Sequence, residues 1–131
     1  QLTGAKAEYH LERGYAERYP NDHIEQEIQK ALEEQGEKVE RAPRIGRYGS
    51  SDIGNVTLVM PAIHTYFKVA EPGCASHSTA FTEASDTEYA YGQMMKAAKA
   101  MAAAGLRLLT DEAYRKAVDE EFLTTVPQKQ E

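Results

Sequence analysis

The chain has a single cysteine, Cys74, no tryptophan and only three phenylalanines in 131 residues. A lone cysteine excludes an intramolecular disulfide and points to a reducing, cytoplasmic setting in which packing alone carries stability. Basic residues are also few: 15 Lys and Arg against 21 Asp and Glu leave a formal charge of -6. That deficit removes the positive footprint required by phosphate backbones and anionic lipids, so neither nucleic acid nor a membrane surface is an expected partner. No long apolar run occurs either. The stretch Ala100 to Leu106 falls far short of the roughly 20 residues that span a bilayer. The sequence lacks an initiator Met and a charged-then-apolar leader, and it reads as a processed start or a piece of something longer. With 41% hydrophobic residues, the length suits one domain able to bury roughly two thirds of its unfolded surface.

Three segments carry strand character. Residues 5 to 13 alternate imperfectly around Ala7, Tyr9 and Leu11, as an edge strand with one wet face does. Asn55 to Met60 is almost uniformly apolar, as in a strand covered on both faces, and Thr65 to Ala70 is aromatic and β-branched. A short strand near Lys38 to Arg41 would relieve an otherwise long structureless connection. Three helices are expected, near 22 to 36, 86 to 109 and 111 to 124. The first opens at Asp22 with Glu25 three residues on and ends at Gly36, which suits the left-handed position after a last turn. The second follows the capping pattern Ser85-Asp86-Thr87-Glu88 and places Ala90, Met94, Ala97, Met101, Ala104 and Leu108 on one face. The third starts at Thr110-Asp111-Glu112 and is closed by Pro127. Strands alternating with helices predict the α/β class.

Four histidines, at 10, 23, 64 and 77, lack the close spacing of a self-sufficient metal site. His10 and His23 read as exposed, and His64 as a structural residue between two strands. His77 differs, because it stands in a loop of small residues, Gly73-Cys74-Ala75-Ser76-His77-Ser78, beyond an apolar segment and before a helix. Ligands of open α/β sheets gather at such places. The stretch Gly49-Ser50-Ser51-Asp52-Ile53-Gly54-Asn55 reads on composition as a tight turn in which Asp52 bonds nearby amides. No base stands beside Ser50 or Ser51 in sequence to support a serine nucleophile. Met94, Met95 and Met101 read as core, and the Glu33-Glu34 and Glu120-Glu121 pairs as solvated helix faces.

Three blocks then resemble a known family in order and spacing. They are Gly49 to Val56, Val59-Met60-Pro61-Ala62-Ile63-His64, and Ser76-His77-Ser78-Thr79-Ala80-Phe81-Thr82-Glu83-Ala84. Together they resemble the C-terminal part of the dinuclear-zinc metallopeptidases and amidohydrolases that include aminoacylases, carboxypeptidase G and aminobenzoyl-glutamate hydrolase. The resemblance extends upstream through Thr3 to Tyr9 and Tyr19-Pro20-Asn21. It implies an exit strand of an inserted α/β lid domain with its return linker over residues 1 to 20, and the C-terminal part of a zinc-peptidase-like catalytic domain over 21 to 131.

By position, the resemblance makes His77 a zinc ligand. It sets Gly49, Ser50, Ser51 and Asp52 against the substrate, with Gly49 and Ser50 holding a carboxylate and Asp52 shaping the loop. It further implies two zinc ions in the parent enzyme, a small amide or dipeptide substrate, a homodimeric parent and a missing N-terminal part. The remaining ligands, the bridging carboxylate and the catalytic glutamate have no counterpart motifs in this sequence. A single histidine cannot hold two zinc ions or activate the bridging water, so the isolated chain is expected to be inactive. A different class stays open beside it, a non-catalytic module degenerate from that family and binding a small anion through the loop at Ser50 to Asp52.

Overall fold

The computed structural model describes residues 4, 6–12, 14–40 and 51–127. Among these the fold is all-helical: α1 (Asp22–Glu33), α2 (Ile53–Thr57), α3 (Thr79–Ser85), α4 (Glu88–Thr110) and α5 (Glu112–Thr125), with no strand. The expected α/β architecture is therefore corrected, and so is each of its described strands. A strand exists only where a neighbouring chain supplies ladder partners. Residues 6–12 and 65–70 find none, and their side chains stand open, Leu11 at 91% and Tyr66 at 76% exposure. Residues 38–40 are irregular, and Arg41 lies outside the described residues. The apolar run from Asn55 turns helical instead, where the Thr57 hydroxyl donates to the Gly54 carbonyl at 2.8 Å. Strand propensity depends on what packs against it, and here local hydrogen bonds win.

The long helices start where short polar side chains can accept from orphan amides. Thr87 Oγ1 accepts from Ala90 N at 3.2 Å, and Asp111 Oδ1 from Tyr114 N at 2.9 Å. At α1 the capping residue is Asn21, one position before the Asp22 expected from sequence, with its Oδ1 accepting from Ile24 N. Gly36 follows the last turn with φ +82°, as its place after the helix required. α3 falls in a stretch read as loop, where Ser78 Oγ accepts from Phe81 N.

Packing centres on α1 against α4, with α5 closing on both and α3 touching α4. Ile28, Ala31, Ala100 and Ala104 form the buried cluster, flanked by Ile24, Leu32 and Ile63. Alanines at the contact let the two helix axes approach closely. Glu37, ion-paired with Lys96, and Glu27, paired with Arg107, tie α1 and its exit to α4. The Arg107 guanidinium also lies 4.2 Å over the Tyr114 ring. Met94 and Met101, placed in the core by periodicity, are 45% and 64% exposed, and Met95 is 51% exposed. The buried stripe of α4 is instead Ala90, Gln93, Ala100 and Ala104.

The core is small. Total accessible surface is 10812 Å², where a compact monomer of this mass exposes about 6,900 Å². Among the described residues the large apolar side chains that are buried are Ile28, Tyr114, Val118 and Val126.

Candidate functional site

Two loops carry the residues singled out by sequence. Of the first, Gly49 and Ser50 lie outside the described residues, while Ser51 and Asp52 lead into α2. Ser51 Oγ accepts from Ile53 N at 3.3 Å, and its carbonyl from Gly54 N. Asp52 is exposed at the N-cap of α2 and makes no side-chain cap bond, so its carboxylate is not committed to the turn as composition suggested. Its backbone carbonyl accepts from Asn55 N.

What fixes this loop is a set of residues that sequence reasoning passed over. Asn55 Oδ1 accepts from Ala16 N at 2.9 Å, and the buried Thr57 Oγ1 accepts from Tyr19 N at 3.1 Å. Gly54 lies so close to the preceding segment that a Cβ there would sit 1.9 Å from the Ala16 carbonyl oxygen. Residues 16–21 are thereby pinned along 54–62, ending in a backbone bond from Asn21 N to Ala62 O. A signal was present in Gly54 and Asn55, residue types depleted in strands, whereas the β-branched Thr57 suits a strand and gave none.

Beside this seam stands His64, exposed, its ring stacked on Tyr66 at 4.8 Å and its Nδ1 3.2 Å from Arg18 Nη1. His64, Thr65 and Tyr66 edge an open cleft of about 230 Å³ floored by Ile28, Leu32 and Val39.

The second loop holds His77 at its apex. The residue is exposed and adopts φ +63°, the one described non-glycine residue in the left-handed region. Such a backbone costs a β-carbon-bearing residue roughly 1 kcal/mol and is kept where the surroundings or a function demand it. Ser78 next to it donates to Ala75 O at 2.7 Å and caps α3, fixing the loop from its C-terminal side. Cys74 is half-buried and free. The helices that follow the two loops, α2 and α3, do not touch each other.

Among the described residues no three His, Cys, Asp or Glu side chains cluster closely enough to hold a metal ion. His77 offers one imidazole, and a closed zinc site needs three or four ligands. The described residues do not make up such a site. Any zinc held at His77 would draw its other ligands from elsewhere.

A third polar centre emerges from packing. Glu121, read as part of a solvated pair, has a largely buried side chain that reaches the start of α1. Its Oε1 accepts from Asp22 N at 2.6 Å, and Oε2 from His23 N at 3.1 Å and from the His23 ring at 2.6 Å. Burial pushes its carboxyl up, but the His23 ring and the two backbone amides outweigh that and hold it below the usual glutamate range. The arrangement is structural: a carboxylate set against the positive end of a helix.

No family model matches the chain. Among curated proteins, a Xaa-Arg dipeptidase of Mus musculus is 33% identical over 85 residues, covering 65% of this chain and 20% of the mouse protein. A Xaa-Arg dipeptidase of Homo sapiens is 29% identical over 124 residues, 90% of this chain and 28% of the human protein. These likenesses support a relation to peptidases and amidohydrolases. The chain spans between 20% and 28% of the length of the two relatives.

Proposed function

We propose that this chain is the C-terminal portion of a zinc-dependent amidohydrolase that cleaves the amide bond of small acyl-amino acids or dipeptides. The supporting observation is the 29% identity to a human Xaa-Arg dipeptidase along 90% of the chain. In this reading residues 1 to 20 leave a lid domain and 21 to 131 belong to the catalytic domain. His77 supplies one zinc ligand. Its exposure and left-handed backbone suit a side chain presented to a shared centre. Gly49, Ser50, Ser51 and Asp52 line the substrate carboxylate, and the docking of Asn55 and Thr57 on residues 16–19 anchors the helix that follows Asp52.

When bound, zinc would act as a Lewis acid and lower the pKa of a water molecule. The chain's own part is to present His77 and orient the anionic end of the substrate. The enzyme is taken to be a cytoplasmic homodimer, a setting that the single cysteine favours. No described helix is long and apolar enough to cross a membrane.

The test is hydrolysis of a panel of dipeptides and N-acyl amino acids by the longer polypeptide that contains this sequence, beside the 131-residue chain. Turnover by the longer form and none by the shorter is expected. Zinc-independent turnover, or none by either, would refute the reading.

A further inference from the structure

α4 carries apolar residues on two of its faces. On a helix of 3.6 residues per turn, its buried stripe through Ala90, Gln93, Ala100 and Ala104 leaves a second apolar stripe about 140° wide on the opposite side. Tyr91, Met95, Ala98, Met101, Leu106 and Leu109 lie on it, and all six are exposed, the large ones from 45% at Tyr91 to 81% at Leu109. On one side the two stripes are separated by Lys96, Lys99 and Arg107, of which Lys96 and Arg107 are ion-paired with Glu37 and Glu27 on the α1 side. A helix with apolar stripes on two opposite faces has a second layer to pack against. The described residues as a whole agree: 16 large apolar side chains stand exposed, α4 included, whereas Ile28, Tyr114, Val118 and Val126 are the large ones buried.

We infer that the outer stripe of α4 is an internal packing face, covered in the native enzyme by an apolar layer of polypeptide from outside these 131 residues. The inference rests on the hydrolase reading and gives it a partner surface. The spread of the exposed apolar residues decides between this occupant and a second copy of the chain. They lie on separate elements, at Tyr9 and Leu11, at Val59 and Met60, at Tyr66 and Phe67, and along α4. One two-fold contact cannot reach them all. The two relatives, whose matched parts are 20% and 28% of their lengths, have the additional polypeptide that such a layer requires.

The test places a thiol on the stripe. Met101→Cys, with Ala98→Cys as a second site, is introduced in a Cys74→Ser background, in the 131-residue chain and in the longer polypeptide. Lys116→Cys, at a charged and exposed position of α5, serves as the control. Maleimide should label the Met101→Cys variant of the 131-residue chain at the rate of the control. In the native longer polypeptide the same substitution should react at least 100-fold more slowly, with full recovery in urea. Equal labelling in both forms would overturn the inference, as would a gene encoding nothing beyond these residues. Concentration-dependent protection in the 131-residue chain, with a dimer by light scattering, would assign the stripe to a second copy and overturn it too. Dipeptide hydrolysis measured on the same samples separates the two readings. An active enzyme whose introduced thiol reacts freely removes this inference alone, and an inactive one whose thiol is protected removes the hydrolase reading alone.

Discussion

Nδ1 of His23 lies 2.6 Å from Oε2 of Glu121, and through that contact α5 holds the first turn of α1. The carboxylate is an acceptor only, so the proton of the bond sits on the ring. The same carboxylate takes the backbone amides of Asp22 and His23, donors that α1 itself cannot satisfy.

Glu121→Gln should therefore lower stability by about 1–2 kcal/mol near neutral pH, the worth of charge-assisted bonds in a partly buried place. The folded-state pKa of Glu121 is depressed. Its contribution is thus present above the unperturbed carboxyl value of about 4.3 and is lost as pH falls through the lower folded value. Thermal melts of both proteins from pH 3 to 7 should show a gap that is full at pH 7 and closes in acid.

Gly54→Ala brings a methyl group against the backbone of Ala16. Because backbone cannot swing aside, the seam between 16–21 and 54–62 must open, at a cost of about 1–3 kcal/mol. Hydrogen exchange should show the amides of Ala16 and Tyr19 losing protection while those of α4 keep theirs. Gly92→Ala, on an exposed part of α4 with nothing within 4 Å, should instead stabilise by about 0.5–1 kcal/mol.

Asn21 is 3% exposed, caps α1 through Oδ1 and donates from Nδ2 to the Val118 carbonyl at 3.0 Å. Asn21→Ala loses both bonds, and a fall of about 2 kcal/mol is expected. Asn21→Asp keeps the cap and loses the donor. In chemical denaturation it should fall between the unaltered chain and Asn21→Ala.

His77→Gly relieves the left-handed backbone and should raise stability by about 1 kcal/mol, while His77→Ala keeps the strain and should leave the melting temperature within a degree or two. A gain in stability from removing this side chain would mark it as retained for something other than the fold.

Much of the helical layer was legible in the sequence, because its signals are local. Asp111 and Gly36 stand where a polar cap and a left-handed exit belong, and helices begin or end beside them, whereas α4 is capped by Thr87 and not by Ser85 of the expected capping box, which closes α3. The strands were not legible in the same way. Asn55 to Met60 and Thr65 to Ala70 have strand composition, but a ladder needs a neighbour that composition cannot supply. On α4 the expected face was right at Ala90 and Ala104 and wrong at Met94 and Met101, because neighbouring stripes of the helix are apolar too and periodicity cannot rank them. Glu121 was misread because its partners, Asp22 and His23, are about a hundred residues away. Of the candidate site, His77 and the Ser51-Asp52 turn were singled out from local composition, whereas Gly54, Asn55 and Thr57 show their role only through contact with residues 16–19.

The central claim is that His77 serves a zinc-dependent hydrolase, and the most direct measurement is zinc content together with dipeptide hydrolysis of His77→Ala beside the unaltered longer polypeptide. The expected result is a lowered zinc content and loss of most activity at an unchanged melting temperature, since an exposed loop residue supports little packing. Retention of both zinc and activity would contradict the claim and remove His77 from the site.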